Sequence, residues 1–257
     1  MYSIFMNGKQ GELFEADMND EQHIPETDIA VIAALHSGSG VDLSLLPPES
    51  RRLYEFSIDA FCAIIHAKMS ELPIATEIAR FERKVLAAAD TVTDTSGPLT
   101  RGDLEIAQRQ AADAAAADRG DSDVRTVLEA AYKVWHEIHR LMGLLRFCPN
   151  EDGVYIAHCE PDHFILPALW PHFRQRFGET AWAIIDEKRR LCMRCISGSF
   201  EFLNTDNNPA FLKNPPNGEW ENLWRLYHKT INNESRNNPT LQRRFMPARY
   251  WKYLTEV

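Results

Sequence analysis

The sequence predicts an α+β protein, in which a mostly helical N-terminal region packs on a C-terminal domain of helices with a small antiparallel sheet. Two observations lead to this prediction. Apolar residues recur at helical spacing over Leu53–Ala89 and again over Val124–Leu145, whereas short alternating runs typical of strands occur in the second half. The polar run Arg119–Ser122 separates the two parts. We therefore place an acidic helical region at 1–121 and a C-terminal domain at 122–257.

Several helices are predicted from apolar periodicity. One follows the double proline at 47–48 and a second follows Pro73, and both have the pattern of amphipathic packing helices. The segment 103–118 is rich in alanine and has few large apolar side chains, so we expect an exposed helix there. Leu166–Phe177 is predicted to be a helix that starts or breaks at its two prolines. The strongest pattern begins after Ser122, a predicted N-cap. Its apolar stripe consists of Val124, Val127, Leu128, Ala131, Val134, Trp135, Ile138, Leu141, Met142 and Leu145.

Two hairpins are predicted in the C-terminal domain. Cys148–Gly153 has the composition of a turn, and Val154–His158 alternates like a strand. Trp182–Ile185 and Leu191–Ile196 are interpreted as two strands joined at Asp186–Arg189, although the same stretch also fits a helix.

The formal charge of −9 is unevenly distributed. Residues 1–132 carry 11 Lys and Arg against 23 Asp and Glu, and residues 133–257 carry 17 against 14. An acidic first half opposes non-specific adhesion to nucleic acid, so DNA contacts are expected in the second half and should weaken strongly with salt. No apolar stretch is long enough to span a bilayer, and Met1–Lys9 lacks the pattern of a signal peptide. We therefore expect a cytoplasmic protein with no membrane partner.

The five cysteines are an odd number and are scattered, which fits a reducing compartment better than a disulfide framework. Cys192-x-x-Cys195, with Cys148 and Cys159, offers four thiols for zinc or an iron–sulfur cluster. No glycine or proline shapes a metal knuckle around the pair, so buried, inert thiols are the preferred interpretation.

One group of residues has the chemistry of metal ligands. Imidazole and carboxylate groups suit zinc, iron or manganese, and a hydrolytic site would need an open coordination position. Histidines that cap turns or bind phosphate are commoner than metal ligands, so no cofactor is favoured and a divalent metal is the alternative. The metal candidates are His158, Glu160, His163 and His172.

A ligand notch is predicted on the long helix after Ser122. His139 lies at the margin of the apolar stripe, Arg146 lies two turns further along, and Gly143 leaves the space beside His139 empty. The alternative is close helix packing at Gly143, with structural hydrogen bonds at the two polar side chains. The candidates for general acid–base catalysis are Glu137, His139, Glu160 and Asp186.

Arginines and aromatic residues alternate through the second half. Guanidinium groups bind phosphates and aromatic rings stack on bases, so single-stranded or damaged DNA is the expected partner. The alternative is an aromatic core flanked by solvated arginines and ion pairs. The predicted nucleic-acid-binding residues are Arg146, Arg174, Arg176, Lys188, Arg189, Arg243, Arg244, Arg249, Tyr250 and Trp251.

Several short sequence motifs that combine polar and aromatic residues occur in the second half of the chain. They are Glu137-x-His139-Arg140, Gly143-x-x-Arg146-Phe147, Pro161-Asp162-His163, His172-Phe173-x-x-Arg176-Phe177, Asp186-x-x-Arg189, Arg236-x-Asn238 and Met246-Pro247-x-Arg249-Tyr250-Trp251. Their combination, over Val124 to Glu256, resembles a bacterial family of DNA-metabolism or DNA-repair proteins whose shared domain has no assigned activity. Leu144 departs from that family, which has an aromatic residue there, and the family's N-terminal opening is not recognisable in Met1–Met18.

The resemblance implies a DNA context. Members of that family are typically encoded beside a radical-SAM protein of DNA modification or repair, and some are fused to a uracil-DNA glycosylase domain. The resemblance thus implies an accessory protein that binds DNA and works with a radical-SAM partner, with uracil-DNA glycosylase as a further partner. The chain lacks Cys-x-x-x-Cys-x-x-Cys, so radical chemistry is assigned to the partner. Two alternatives stay open: a metal-dependent enzyme acting on a nucleotide or damaged DNA, and a protein–protein adaptor without DNA binding.

Overall fold

The computed structural model describes residues 26–93, 100–207, 219–233, 235 and 238–254. These residues form two compact units. The helical unit comprises Ile24–Ile138 with Asp162–Ile165, and the sheet unit comprises His139–Pro161 with Leu166–Val257. Arg236 and Met1–Met18 lie outside the described residues.

The helical unit contains α1 (Glu26–Ser37), α2 (Pro48–Phe56), α3 (Ile58–Lys68), α4 (Ala75–Thr91), α5 (Arg101–Ala117) and most of α6 (Ser122–Leu144), with a short 3-10 turn at Leu43–Leu45. The pattern that follows the double proline forms two helices, α2 and α3. Ser57 separates them because its backbone is extended, and its hydroxyl caps α3 by accepting the N–H of Ala60 at 3.2 Å.

The alanine-rich helix α5 packs against α4. Ala112 and Ala116 are buried, because small side chains allow a neighbouring helix to approach closely. The helix begins with a capping box in which Thr100 and Asp103 each accept the other's backbone N–H. The expectation of an exposed helix is therefore wrong for the face that carries Ala112 and Ala116.

The helix α6 confirms the strongest helical pattern, with two corrections. The N-cap is Asp121 and not Ser122, since the Asp121 carboxylate accepts the N–H groups of Asp123 and Val124 at 2.8 and 3.2 Å. Trp135 is 47% exposed and does not belong to the buried face. The buried members of the predicted stripe are Val124, Val127, Ala131, Val134, Ile138, Leu141 and Leu145.

The sheet unit is built on a five-stranded mixed sheet in the order β1 (Cys148–Pro149), β2 (Tyr155–Cys159), β3 (Trp182–Asp186), β4 (Leu191–Ile196) and β5 (Ser199–Asn204). The β1–β2, β3–β4 and β4–β5 pairings are antiparallel, and β2–β3 is parallel. A parallel pair needs a crossover connection, which is provided by α7 (Leu166–Phe177). The α+β class is confirmed, and both predicted hairpins occur, although Cys148 and Pro149, predicted to belong to the first turn, form β1. The parallel pairing and the fifth strand are additions, so the sheet is mixed rather than antiparallel throughout.

The two faces of the sheet differ in what covers them. The helix α7 packs on β3 and β4, and Phe173 lies with its ring centroid 6.0 Å from that of Trp182. The other face carries the buried cluster Ile156, Ala183, Ile185 and Cys192. Because side chains alternate along a strand, His158 shares the face of Ile156.

The chain continues through α8 (Glu219–Ile231), α9 (Pro239–Phe245) and a C-terminal 3-10 helix (Ala248–Tyr253) that contacts β2. Tyr250 is buried within this last element, at 2% exposure. None of the helices in the described ranges is long and apolar enough to cross a membrane.

Candidate functional site

The carboxyl ends of the parallel strands β2 and β3 gather ionisable side chains. His158 is the last but one residue of β2, Glu160 follows the last residue of β2, and Glu187 follows the last residue of β3. The register of the pair places Cys159 opposite Asp186, and the N–H of Glu187 donates to the carbonyl of Cys159 at 2.9 Å. Parallel strands end at one edge of the sheet, where side chains from separate segments meet.

The C-terminal 3-10 helix adds Lys252 and Tyr253 to this edge. Lys252 Nζ donates to Glu160 Oε2 at 2.6 Å, and the Tyr253 hydroxyl donates to Glu187 Oε2 at 2.8 Å. The other oxygen of Glu187, Oε1, lies 3.1 Å from His158 Nδ1. We call these five residues the strand-end network. They come from three separate stretches of the chain and meet through side-chain hydrogen bonds.

Positive charge is concentrated around Glu160. The hydrogen bond from Lys252 lowers the pKa of the Glu160 carboxyl below its usual value, and the charges of Lys188 and Arg249 lower it further. The same hydrogen bond raises the pKa of Lys252 well above its usual value, so the ammonium group stays protonated. Burial, and the hydrogen bond to Glu187, raise the pKa of Tyr253. Three cations, Lys252 of the network together with Lys188 and Arg249 outside it, thus act on the Glu160 carboxylate.

Asp186 and Arg189 form a buried ion pair beside the network. The Asp186 side chain is fully buried and accepts from the Arg189 backbone N–H at 3.2 Å and from Arg189 Nη1 at 2.5 Å. Arg189 Nη1 also donates to the carbonyl of Pro161 at 3.2 Å, which ties the β3–β4 turn to the segment after β2. Burial raises the pKa of Asp186, against the lowering effect of Arg189. Asp186 was predicted as an acid–base candidate and Arg189 as a phosphate ligand. Their contacts show that both residues hold the ends of the strands together.

Glu137 lies in the helical unit and is 2% exposed. Its carboxylate oxygens accept the backbone N–H groups of Asp162 and His163, each at 2.9 Å. The Glu137-x-His139-Arg140 motif and the Pro161-Asp162-His163 motif are therefore joined by direct contact. This geometry makes Glu137 a structural acceptor for a turn.

The family model of DUF4130, a domain of unknown function, matches residues 104–256, which is more than half of the chain. The chain belongs to the DUF4130 family. The match begins within α5 and includes all five strands described above. No curated protein and no solved structure matches the chain.

Aromatic residues of the sequence motifs listed above pack together within this DUF4130 domain. The ring of Phe147 lies 4.9 Å from that of Phe173 and 4.8 Å from that of Phe177, centroid to centroid. Phe177 stacks on Trp182 at 6.1 Å. Phe173 and Trp182 are buried and Phe147 and Phe177 are half-buried, so these rings pack against one another, as the aromatic-core alternative expects.

The notch predicted beside Gly143 is open. Outside its chain neighbours and the backbone of its own helix, no described atom lies within 4 Å of the point where a Cβ on Gly143 would stand, so the alternative of close helix packing at this glycine is wrong. Arg146 Nη1 donates to the carbonyl of Gly143 at 2.9 Å, so its guanidinium folds back onto the helix end. His139 lies in the same unit as both.

The metal candidates of this DUF4130 chain are separated by their contacts. His158 and Glu160 belong to the strand-end network, His163 lies in the helical unit, and His172 is exposed on α7 with its ring against Phe173. Throughout the described ranges, no group of three or more His, Cys, Asp or Glu side chains is placed to hold a metal ion. Those four residues accordingly do not form such a group.

Three of the four thiols considered for a metal cluster are buried, as the preferred interpretation expects, and Cys148 is half-buried. Cys159, Cys192 and Cys195 are buried, and all five cysteines are free. Burial raises the pKa of Cys192 to about 12 and also raises that of Cys195. Neutral, buried thiols are poor metal ligands and poor nucleophiles.

The predicted nucleic-acid-binding residues differ in accessibility. Tyr250 is buried, its hydroxyl receives a hydrogen bond from Arg249 Nη2 at 2.7 Å, and it therefore packs rather than stacking on a base. Trp251 is half-buried, with Nε1 donating to the carbonyl of Met246 at 2.9 Å. Arg146 and Arg174 are half-buried. The exposed members of the predicted set are Arg176, Lys188, Arg243, Arg244 and Arg249.

Glu187, Lys252 and Tyr253 are functional candidates that sequence reasoning missed. Glu187 falls in a predicted turn, and Lys252 and Tyr253 directly follow the Arg-Tyr-Trp phrase. The position of Glu187 after β3 indicates a site only when β2 and β3 are known to be parallel, because parallel strands end at the same edge of the sheet. Lys252 and Tyr253 become candidates only through their contacts with that edge. A separate cavity of about 460 Å³ in the helical unit, lined by residues that include Tyr54, Asp59 and Arg109, holds none of the predicted candidates.

Proposed function

We propose that this DUF4130 protein binds DNA at the strand-end network and acts as an accessory protein in DNA metabolism or repair, in the cytoplasm. One observation carries the proposal: Lys252 Nζ donates to Glu160 Oε2 at 2.6 Å, and Arg249 from the same 3-10 helix and Lys188 from the β3–β4 turn act on the same carboxylate. Neither Lys188 nor Arg249 is buried, and grouped cations attract phosphates.

A second basic stretch lies next to this group in the chain. Arg243 and Arg244 are exposed at the end of α9, and the exposed ring of Phe245 has the Arg244 guanidinium 5.9 Å from its centroid. A flat ring beside a cation is suited to an unstacked base, because the ring stacks while the cation binds a phosphate. This arrangement supports single-stranded DNA as the ligand, and Phe245 replaces Tyr250 as the stacking candidate.

The test is fluorescence anisotropy with a short, labelled single-stranded oligonucleotide at increasing salt. We expect binding at low salt that weakens steeply, and each phosphate contact removed should reduce the slope of log affinity against log salt by about 0.7. The variants are Lys188→Ala, Arg243→Ala and Arg249→Ala. The matched control is Arg101→Ala on α5, whose side chain is 94% exposed. Absence of binding at low salt, or an equal effect of the control, rejects the proposal.

The resemblance supports a radical-SAM protein as the partner that performs chemistry on the bound DNA, and uracil-DNA glycosylase as a second partner. An adaptor role without DNA binding is favoured by one feature, the exposed apolar side chains of α8. Leu223, Trp224, Tyr227 and Ile231 are each between 43% and 58% exposed. Co-purification with the radical-SAM protein, together with no DNA affinity at low salt, selects the adaptor.

A further inference from the structure

The strand-end network contains a histidine that is oriented by a carboxylate. His158 Nδ1 lies 3.1 Å from Glu187 Oε1, and the other oxygen of Glu187 accepts from the Tyr253 hydroxyl at 2.8 Å. A carboxylate has no proton to donate, so Nδ1 carries the hydrogen and Nε2 keeps its lone pair. Tyr253 fixes the carboxylate, and the carboxylate in turn fixes the imidazole ring.

This arrangement is the one by which proteins prepare a histidine to accept a proton. An acidic partner on Nδ1 sets the tautomer and stabilises the imidazolium that forms when Nε2 is protonated. The His158 side chain is 22% exposed, so it is held in place yet open to solvent. The nucleophile available to such a base is water.

The same edge of the sheet supplies charge for an anionic substrate. Glu187 links the imidazole to a lysine, since its Oε1 lies 3.1 Å from His158 Nδ1 and its Oε2 lies 3.9 Å from Lys252 Nζ. Lys252 is hydrogen-bonded to Glu160 at 2.6 Å, and Lys188 and Arg249 act on the same carboxylate. A phosphate drawn to these cations is brought to the edge of the sheet that carries the imidazole.

We propose that His158 is the general base of a hydrolytic site for phosphoester bonds in DNA, and that Glu187 is its positioning residue. This inference rests on the proposed function, because the substrate is the DNA bound at the network. His158 Nε2 takes a proton from water as the water oxygen forms a bond to phosphorus. The bond from phosphorus to the leaving oxygen breaks, and that oxygen keeps the electron pair and takes a proton from solvent.

The proton on His158 then returns to solvent, and the net reaction is the addition of one water across the phosphoester. Lys252 stabilises negative charge on the phosphoryl oxygens without giving up its proton, since its bond to Glu160 favours the charged ammonium group. The phosphoester is either an internal linkage of the strand or a terminal phosphate. Both have the same chemistry at phosphorus.

A single substrate distinguishes the two sources. A single-stranded oligonucleotide with a 5′ fluorophore and a 3′ phosphate gives shorter labelled fragments when internal linkages are cleaved. It gives inorganic phosphate and a full-length strand when the terminal phosphate is removed. Either product supports the proposal, in buffer with magnesium or with a chelator. Anisotropy with the same oligonucleotide measures binding in parallel.

The decisive variant is His158→Asn, whose amide can still donate to Glu187 but cannot accept a proton as an imidazole does. We expect its hydrolysis rate to fall by about 10²- to 10⁴-fold with binding unchanged. The matched control, His172→Asn on α7, should keep the wild-type rate. Glu187→Gln should slow hydrolysis and move the acid limb of the pH–rate profile to lower pH, because the imidazolium loses its negative neighbour.

Each outcome has one meaning. Hydrolysis by the wild-type chain that survives His158→Asn overturns the inference, as does loss of binding and hydrolysis together in that variant. Bound DNA that is never hydrolysed overturns the inference and leaves the proposed function standing. Failure of the wild-type chain to bind DNA at low salt rejects both.

Discussion

The backbone N–H of His163 donates to the carboxylate of Glu137 at 2.9 Å, between residues 26 positions apart in the chain. The neighbouring N–H of Asp162 donates to the other carboxylate oxygen at the same distance. A buried carboxylate that accepts two backbone donors at once satisfies both donors, and its loss leaves both unpaired. The Pro-Asp-His step is thus held by a helix residue.

Replacing Glu137 should destabilise the helical unit. In Glu137→Ala the N–H groups of Asp162 and His163 lose this buried acceptor, so we expect the free energy of unfolding to fall by roughly 3 kcal/mol. Glu137→Gln keeps one acceptor oxygen and should cost about half as much. Urea denaturation measures both values. Glu129→Ala, an exposed position on the same helix, should change stability by less than about 0.5 kcal/mol, and an equal loss there contradicts the prediction.

The helices of this chain were predictable because their signal is local. The stripe from Val124 to Leu145 is set by spacing within one helix, and its small set of exceptions, such as Trp135, lies at the edge of the buried face. The two strands of the β3–β4 hairpin were predictable for the same reason. Both signals depend only on the spacing of apolar residues within one continuous segment of the sequence.

The strand-end network was not predictable because it depends on pairing across the chain. β2 and β3 are parallel and are separated in sequence by α7, so no local pattern indicates that Glu160 and Glu187 lie at the same edge of the sheet. The contact between Glu160 and Lys252 joins residues 92 positions apart. Glu137 was predicted as an acid–base candidate, but the donors that its carboxylate accepts are backbone N–H groups, which carry no sequence signal.

Two glycines should respond oppositely to alanine. Gly198 has φ +79°, and a Cβ there would stand 3.1 Å from Nε and Nη2 of Arg174, so Gly198→Ala should destabilise the chain by about 1–2 kcal/mol. Gly143 is near the end of α6 with open space beside it, so Gly143→Ala should stabilise the chain by roughly 0.5 kcal/mol. Thermal and urea unfolding check both signs. If both variants move in one direction, the backbone assignment of the β4–β5 turn or of α6 is incorrect.

The buried pair of Asp186 with Arg189 should matter far more than an exposed pair in the same unit. Asp186→Asn leaves the Arg189 guanidinium, whose side chain is 10% exposed, without its counter-charge and should cost about 3–5 kcal/mol. Asp206→Asn breaks an exposed pair with Arg190, whose side chain is 70% exposed, and should cost at most about 1 kcal/mol. Equal losses of unfolding free energy for the two variants would show that burial does not set the difference.

Acid should destabilise the helical unit through a histidine pair. Nε2 of His36 and Nε2 of His66 lie 3.2 Å apart, and His66 Nδ1 is hydrogen-bonded to the Cys62 carbonyl at 2.8 Å. Burial, with a further contribution from His66, lowers the pKa of His36 from 6.5 to about 4, and burial also lowers the pKa of His66. Two imidazoles in contact disfavour protonation of either one.

The sign of the pH dependence follows from where the proton binds. Between pH 6.5 and about 4 the unfolded chain protonates His36 and the folded chain does not, so this stability is complete above pH 6.5 and is lost as the pH falls to about 4. From pH 7 to pH 5 the wild-type chain should lose roughly 1–2 kcal/mol more than His36→Gln, which cannot titrate. Urea midpoints of the two proteins at both pH values measure the difference. Parallel pH dependences would mean that the imidazole of His36 is protonated as readily in the folded chain as in the unfolded one.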